Sequence, residues 1–200
     1  AVGIGKGVRR AAGVLRELIL QALEVCTEQF RVGRVRLAPV LHAAVPLGCV
    51  GVQVIRVVLR LDEAGLTYTT FYILGMGGKG KGRSSGSATA AMFNQVLPQL
   101  ITTTGMTVFP RTPLADMAAR GEFVEASERE KIEELQTFLS ELTIDVFYDG
   151  VHYLNPLNYR FSNKDAEAKR RVLEDIDDVL RSCSDEELEA MVSRRFKTSL

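Results

Sequence analysis

Residues 68–82 read Tyr-Thr-Thr-Phe-Tyr-Ile-Leu-Gly-Met-Gly-Gly-Lys-Gly-Lys-Gly, an uncharged run followed at once by a glycine-rich loop. The run Tyr68–Leu74 is rich in residues that favour strands, so it predicts a strand buried on both faces. Five glycines within Gly75–Gly82 let the backbone adopt positive φ angles and approach a ligand closely. A flexible turn is the plainer interpretation of the same glycines.

Strand and helix signals alternate downstream of this loop. Ser87 is placed to cap a helix that ends near Leu100, and Thr102–Phe109 is a second uncharged, β-rich run. Ile144–Tyr148 predicts a further strand. Strands that alternate with helices are typical of an α/β fold with a parallel sheet.

Capping patterns mark the boundaries of the helices. Gly65 follows the helical segment Val52–Ala64 at the position where a left-handed residue ends helices. The other boundary signals are Thr112 with Pro113 at a helix start, Gly121 at its end, and two capping boxes, Ser127 with Glu130 and Ser184 with Glu187. An apolar stripe predicts one more helix and consists of Val172, Leu173, Ile176, Val179 and Leu180.

The composition excludes some classes of protein. The 200 residues carry 25 basic and 25 acidic side chains, so neither a polybasic nucleic-acid binder nor an acidic disordered tail describes the whole chain. The length predicts one domain. The three cysteines, Cys26, Cys49 and Cys183, fit neither a framework of paired disulfides nor a C-x-x-C metal motif, and they indicate a reduced, cytoplasmic protein.

The segment Leu37–Ile55 is uncharged over 19 residues, a length that just spans a bilayer. Pro39 and Pro46 would interrupt a helix there, and His42 and Gln53 are costly in hydrocarbon. We therefore expect no membrane span, and the N-terminal residues show no secretory-signal pattern.

The glycine loop nearly matches two phosphate-binding motifs. Gly75, Gly80 and Lys81 satisfy G-x-x-x-x-G-K, but Gly82 stands where a P-loop has the Ser or Thr that binds Mg²⁺. Gly75, Gly77 and Gly80 also give G-x-G-x-x-G, a pattern common in glycine-rich loops, and no acidic residue ends the next strand to bind a ribose. Nucleotide binding is therefore the weaker alternative.

His152 and Asn155 lie in an aromatic, Asn-rich loop between Asp149 and Asn163. Such a loop is suited to line a substrate or a subunit interface. A histidine that is bonded to the backbone and serves only the fold explains His152 equally well.

Four segments resemble one enzyme family. Tyr68–Gly78, preceded by Glu63-Ala-Gly65, resembles the fifth strand of radical S-adenosylmethionine (SAM) enzymes. Met106–Leu114, with its Pro-x-Thr-Pro-Leu turn, is similar to their sixth strand, and Ala119–Phe123 resembles the segment after that turn. Asp149–Tyr159 resembles an Asn- and His-containing stretch of the elongator-like subgroup. The resemblance covers about residues 52–182.

This resemblance implies a partial parallel (β/α) barrel, incomplete relative to a (β/α)6 barrel, that binds SAM at the carboxyl ends of its strands. In the family, a reduced 4Fe-4S cluster cleaves SAM to a deoxyadenosyl radical, which abstracts hydrogen from a substrate. Lys79 stands where many members have an acidic residue. The cofactor-binding residues that the resemblance implies are Ile73 and Gly75 against the adenine, Gly77 and Gly78 in the approaching loop, and Phe109 and Pro110 on the sixth-strand side.

The cysteine motif of the family is absent from these 200 residues. The family binds three irons through C-x-x-x-C-x-x-C, a spacing that Cys26, Cys49 and Cys183 do not supply, so no residue is assigned as a metal ligand. The resemblance therefore implies the C-terminal part of a radical SAM barrel. Such a chain is active only where a longer parent chain supplies the cluster-binding segment.

The expected layout has three parts: a divergent segment over 1–51, a partial barrel with the SAM-binding loop over 52–163, and a helical extension over 164–200. The open edges of a partial sheet invite self-association. A non-catalytic nucleotide-binding or protein-interaction module is the alternative, and an unstable fragment without function is a third possibility.

Overall fold

The computed structural model describes residues 58–198, with side chains as far as residue 192. The chain divides into two compact units, Ala1–Thr67 and Tyr68–Leu200. In the first unit, residues 58–63 are helical. Predictions that lie outside the described residues concern the segment 1–51, the start of the helix predicted over Val52–Ala64, the uncharged run Leu37–Ile55, His42, Cys26 and Cys49.

The predicted helix stop at Gly65 is confirmed. Gly65 has a φ of 65°, and its amide donates to the carbonyl of Asp62 over 2.9 Å. The amide of Leu66 donates to the carbonyl of Leu61 over 3.0 Å. This pair of bonds is the Schellman motif, which ends a helix at a left-handed residue.

Four strands of the second unit form one sheet. They are β1 (Thr69–Leu74), β2 (Leu100–Gly105), β3 (Phe147–Asp149) and β4 (Arg160–Ser162), and they lie in that order. Strands β1, β2 and β3 are parallel, whereas β4 is antiparallel to β3. The predicted α/β class is confirmed, and the sheet, predicted to be parallel, is open and mostly parallel, with β4 as its antiparallel strand.

Five helices complete this unit: α1 (Gly82–Phe93), α2 (Pro113–Ala119), α3 (Glu128–Glu141), α4 (Ala166–Ser182) and α5 (Asp185–Thr198). The predicted cap of α2 is confirmed, because Thr112 Oγ1 accepts a bond from the amide of Ala115. The capping box of Ser127 and Glu130 starts α3, and that of Ser184 and Glu187 starts α5.

Several predicted boundaries are wrong: α1 ends at Phe93 rather than near Leu100, and β3 covers Phe147–Asp149 rather than Ile144–Tyr148. Ser87 caps no helix, because α1 begins five residues earlier at Gly82 and the Ser87 hydroxyl donates to Glu141 Oε2 over 2.7 Å. Strand β2 ends at Gly105 rather than Phe109, because the carbonyl of the following Met106 accepts a bond from Lys131 Nζ instead of joining the sheet. Strand β4 was not predicted and lies within the loop expected between Asp149 and Asn163.

One face of the sheet packs against the helices and the other is exposed. Tyr72 and Leu74 of β1 are buried, and the ring of Tyr72 lies 4.9 Å from that of Phe138 on α3. The alternate residues Phe71 and Ile73 are 73% and 40% exposed. The prediction that β1 is buried on both faces is therefore wrong, since the helices α3 and α4 pack against the sheet from one side and α1 and α5 pack on α3.

Helices α1 and α3 approach each other closely along a row of small residues. Gly82, Gly86 and Ala90 are buried and spaced by four, so they share one face of α1. A Cβ at Gly86 would lie 2.4 Å from the carbonyl oxygen of Glu134, and one at Gly82 would lie 2.5 Å from that of Glu130. Glycine at these positions lets α3 lie against the helix that follows the glycine loop.

Within the part of the chain that the structure describes, no helix combines the length and apolar character needed to cross a membrane.

Candidate functional site

The carboxyl ends of β1 and β2 lie side by side. Leu74 pairs with Gly105 in the ladder, and the amide of Met106 donates to the carbonyl of Leu74 over 2.8 Å. The glycine loop Gly75–Gly82 therefore leaves the same edge of the sheet as the segment that leads to Phe109. In parallel α/β sheets, ligands bind at this edge.

Two turns and three left-handed glycines shape the glycine loop. Gly75, Gly78 and Gly80 have φ values of 85°, 74° and 78°, which side chains rarely tolerate. The amide of Gly78 donates to the carbonyl of Gly75 over 3.0 Å, and that of Lys81 to the carbonyl of Gly78 over 3.3 Å. The loop thus has a defined turn structure of its own.

Most of the loop amides bind acceptors within the protein. The amide of Gly75 donates to Glu134 Oε2 over 3.0 Å, that of Gly80 to Glu130 Oε1 over 2.5 Å, and that of Lys79 to the carbonyl of Val124 over 2.9 Å. With the two turn bonds, five amides between residues 75 and 81 are already engaged. A phosphate cradle needs successive amides that point at the anion, so this geometry argues against a P-loop.

The carboxyl of Glu134 is buried at the start of the loop. It is 1% exposed, and its Oε1 accepts a 2.5 Å bond from the hydroxyl of Tyr72. Burial raises the pKa of Glu134, although the bonds from Tyr72 and Gly75 and the charge of Lys131 act against that rise. Burial and the neighbouring carboxyl raise the pKa of Tyr72, so its hydroxyl keeps the proton that it donates to Glu134.

Lys131 fixes the end of β2 to α3. Its Nζ is almost fully buried and donates to the carbonyl of Met106 over 2.8 Å, to Glu128 over 2.7 Å and to Glu125 over 3.2 Å. Burial acts to lower the pKa of Lys131, but the two carboxylates outweigh it and the pKa is raised. Burial also raises the pKa of Glu128, and the ion pair with Lys131 offsets this only in part.

Ile73, Thr104 and His152 come together on the exposed face of the sheet. Ile73 pairs with Thr104 in the ladder, and Thr104 Oγ1 lies 2.8 Å from His152 Nδ1. The amide of Leu154 donates to the same nitrogen over 3.2 Å, so Nδ1 is an acceptor and the proton of the neutral ring is on Nε2. The loop after β3 thereby brings a ring N–H donor to this part of the sheet.

Asn155 lies inside the protein rather than on a substrate or subunit surface. Its Nδ2 donates to the carbonyl of Thr103 over 3.0 Å and to that of Gly150 over 2.6 Å. These bonds hold the loop after β3 against the end of β2. The position of His152 beside Thr104 therefore depends in part on Asn155.

The remaining predicted residues lie in the two segments that follow β1 and β2. Phe109 is 44% exposed, Pro110 is also exposed, and both precede the turn in which the hydroxyl of Thr112 donates to the carbonyl of Phe109 over 2.8 Å. A Cβ at Gly77 would lie 2.7 Å from Ser85 Oγ, and one at Gly78 would lie 2.8 Å from the carbonyl oxygen of Val124. The packing of the loop itself thus requires glycine at both positions.

Sequence reasoning missed the role of three polar residues of α3 that hold this site, of which Lys131 and Glu134 are buried. Glu130 was recognised only as part of a capping box, and Lys131 and Glu134 were not singled out. The pattern that indicates Lys131 and Glu134 is a charged residue on the same helix face as the apolar residues Leu135 and Phe138. A charged residue on a buried face needs a partner, and here the partners are the ends of β1 and β2.

An open polar groove of about 610 Å³ lies between α1, α3 and α4, and its lining includes Arg83, Ser87, Gln136 and Asp177. Gln136 donates to Asp177 across it, and the Ser87 hydroxyl donates to Glu141. Its polar groups are thus largely satisfied by one another, which makes it a weaker candidate than the sheet edge.

The described side chains do not fit an iron–sulfur cluster. Over residues 58–192, no group of three His, Cys, Asp or Glu side chains is arranged to hold a metal ion. Cys183, a free cysteine, is the C-cap residue of α4.

Comparisons of this chain with protein-family models, with curated proteins and with solved structures found no match.

Proposed function

We propose that this chain is the C-terminal portion of a radical SAM barrel and that it binds SAM at the carboxyl ends of β1 and β2. The observation that carries the proposal is a sheet of consecutive parallel strands with helices on one face and an exposed, partly apolar face opposite. In a (β/α) barrel the helices form the outer layer and the other sheet face lines the interior. Doubly wound sheets have helices on both faces.

The chemistry of the loop favours an adenosyl ligand over a polyphosphate. Most loop amides are engaged by the protein, so they are not available to cradle phosphates. Ile73, beside the loop, and Phe109, in the segment that follows β2, instead offer exposed apolar surface, which suits the flat face of an adenine. These residues fit the adenosyl part of SAM, whereas Lys79 gives no acidic partner for the amino group.

These residues do not supply the group that cleaves SAM. In the family the reduced cluster supplies the electron that cleaves SAM, and the cysteines of this chain do not have the spacing to bind it. The chain's own residues therefore bind and orient SAM, and His152 offers its Nε2–H to a substrate acceptor on the exposed face. Hydrogen abstraction requires a longer cytoplasmic parent chain, whose coding DNA would encode an in-frame C-x-x-x-C-x-x-C upstream.

Isothermal titration calorimetry of the full chain with SAM, ATP and GTP tests the binding step. We expect SAM to bind and neither nucleotide to bind, with or without Mg²⁺. Ile73→Asn is expected to weaken SAM binding at least about tenfold, which is about 1.4 kcal/mol, because it removes apolar surface beside the loop. Phe71→Asn is the matched control, since it changes the same sheet face two residues further from the edge and leaves the affinity within about twofold.

Mg²⁺-dependent binding of ATP or GTP without binding of SAM would overturn the proposal and favour a non-catalytic nucleotide-binding module. A protein-interaction module is the second candidate. The exposed side chains of Phe71, Ile73 and Phe147 favour it, because they lie on one face of the sheet and a group of exposed apolar residues is typical of a contact surface. Sedimentation of the full chain over a range of concentrations tests self-association through this face or the adjoining sheet edge.

A further inference from the structure

Helix α3 brings two carboxyl groups to the two ends of the glycine loop. Glu130 and Glu134 are spaced by four and so lie one turn apart on the same face of the helix. Glu134 Oε2 accepts the amide of Gly75 over 3.0 Å at the start of the loop, and Glu130 Oε1 accepts the amide of Gly80 over 2.5 Å near its end. The loop is therefore held at both ends by one rigid element.

Glu134 also connects the loop to the strand before it. Its other oxygen, Oε1, accepts the 2.5 Å bond from the hydroxyl of Tyr72, which lies on β1 three residues before Gly75. Both carboxyl oxygens thus accept a hydrogen bond from the junction between β1 and the loop. Rotation of this junction would break at least one of the two bonds.

The carboxyl group of Glu134 supplies two acceptors that an apolar residue lacks. Glu134 is 1% exposed, and a buried carboxylate costs free energy that its partners repay only in part. An apolar residue of similar size would avoid that cost, but it would leave the Gly75 amide and the Tyr72 hydroxyl without their acceptor. The feature that an apolar residue cannot reproduce is the fixed direction of the Gly75 amide.

We propose that Glu134 is a positioning residue of the SAM site and that Tyr72 orients it. The inference rests on the proposed SAM binding. By holding the Gly75 amide inward, Glu134 keeps Gly75 at its φ of 85° and sets where the loop lies relative to Ile73 and the end of β2. Loss of the bond leaves a buried amide without its acceptor, and the loop moves to satisfy it.

The test compares two variants at this junction with one matched control. Tyr72→Phe removes the hydroxyl that orients Glu134, and Glu134→Gln retains the shape of the side chain but removes its charge. Tyr148→Phe is the control, because Tyr148 is also a buried tyrosine of the sheet, and its hydroxyl bonds Thr103 Oγ1 over 2.6 Å rather than a residue that contacts the loop. SAM affinity by calorimetry, unfolding by urea and the ¹H–¹⁵N resonance of the Gly75 amide are measured on the full chain.

We expect Tyr72→Phe and Glu134→Gln to weaken SAM binding at least about tenfold and to shift the Gly75 amide resonance. The Tyr148→Phe control is expected to lose comparable stability, with SAM affinity within about twofold of the wild type. A purely structural role for Glu134 predicts that affinity follows stability in all three variants. That outcome would overturn the proposal.

The two proposals fail in different ways. A wild-type chain that binds SAM and junction variants that bind it equally well would contradict the role of Glu134 and leave SAM binding in place. A wild-type chain that does not bind SAM would contradict both. Tyr72→Phe removes only one buried hydroxyl. It therefore still tests the role of Glu134 if the Glu134→Gln variant does not fold.

Discussion

The carboxyl of Glu134 makes the stability of this chain depend on pH at the scale of a single residue. Burial raises its pKa above the ordinary value of 4.5, even though Tyr72, Gly75 and Lys131 favour the charged form. Between those two pKa values the folded state binds a proton that the unfolded state has lost. The contribution of Glu134 to the free energy of unfolding therefore decreases as the pH rises through this range.

Glu134→Gln removes this titration. We expect the free energy of unfolding of the wild type, minus that of the variant, to fall as the pH rises from about 4.5, with a slope of at most about 1.4 kcal/mol per pH unit. Urea denaturation of both proteins at closely spaced pH values measures the difference. A difference that grows with pH would mean that the fold favours the carboxylate, contrary to the burial observed.

Single-residue predictions from sequence succeed where the physics is local. The capping partners Ser127 and Glu130 are three residues apart, so the sequence alone identifies their reciprocal bonds. Glu134 meets Gly75 across 59 residues, and no local pattern indicates which backbone amide a buried carboxyl reaches. The sequence therefore singled out the glycine loop as a candidate, whereas it gave no indication of which residues of α3 lie behind the loop.

At the scale of elements, the close packing of α1 against α3 places the carboxyl groups of Glu130 and Glu134 behind the loop. Gly86 has no space for a side chain, because a Cβ would lie 2.4 Å from the carbonyl oxygen of Glu134 and 3.1 Å from the amide nitrogen of Phe138. Both atoms are backbone, so the helices must move apart to admit a methyl group.

Gly86→Ala should destabilise the chain by about 2 kcal/mol through this overpacking. The sign of this change in the free energy of unfolding is informative, because alanine at an exposed helix position stabilises a protein by about 1 kcal/mol relative to glycine. Ser84→Ala is the control at an exposed position of the same helix, with an expected change within about 0.5 kcal/mol. Urea denaturation checks both variants, and a Gly86→Ala chain as stable as the wild type would show that α1 and α3 are less closely packed.

The elements themselves were partly predictable. Caps and apolar stripes predicted α2, α3, α4 and α5, because each signal lies within one or two turns of the chain. The antiparallel strand β4 escaped prediction because three residues, Arg160–Ser162, carry too short a pattern. Its pairing depends on β3, where the ion pair of Arg160 with Asp149 spans 2.8 Å between the two strands.

At the scale of the whole molecule, the exposed sheet face distinguishes this unit from a sheet with helices on both sides. The sequence predicted parallel strands but could not reveal that Phe71 is exposed, since an uncharged strand fits both a buried and a half-buried position. In our proposal, this partly apolar face of the mostly parallel sheet corresponds to the interior wall of the barrel. This interpretation unites the glycine loop, the edge residues and His152 in one site.

Hydrogen–deuterium exchange of the full chain with and without SAM tests whether SAM binds at the proposed site, because it locates the ligand as well as detecting it. We expect slower exchange in the amides of residues 72–80 and 104–112, at the carboxyl ends of β1 and β2. Unchanged exchange in both segments at saturating SAM, or protection confined to the groove between α1, α3 and α4, would contradict the proposal.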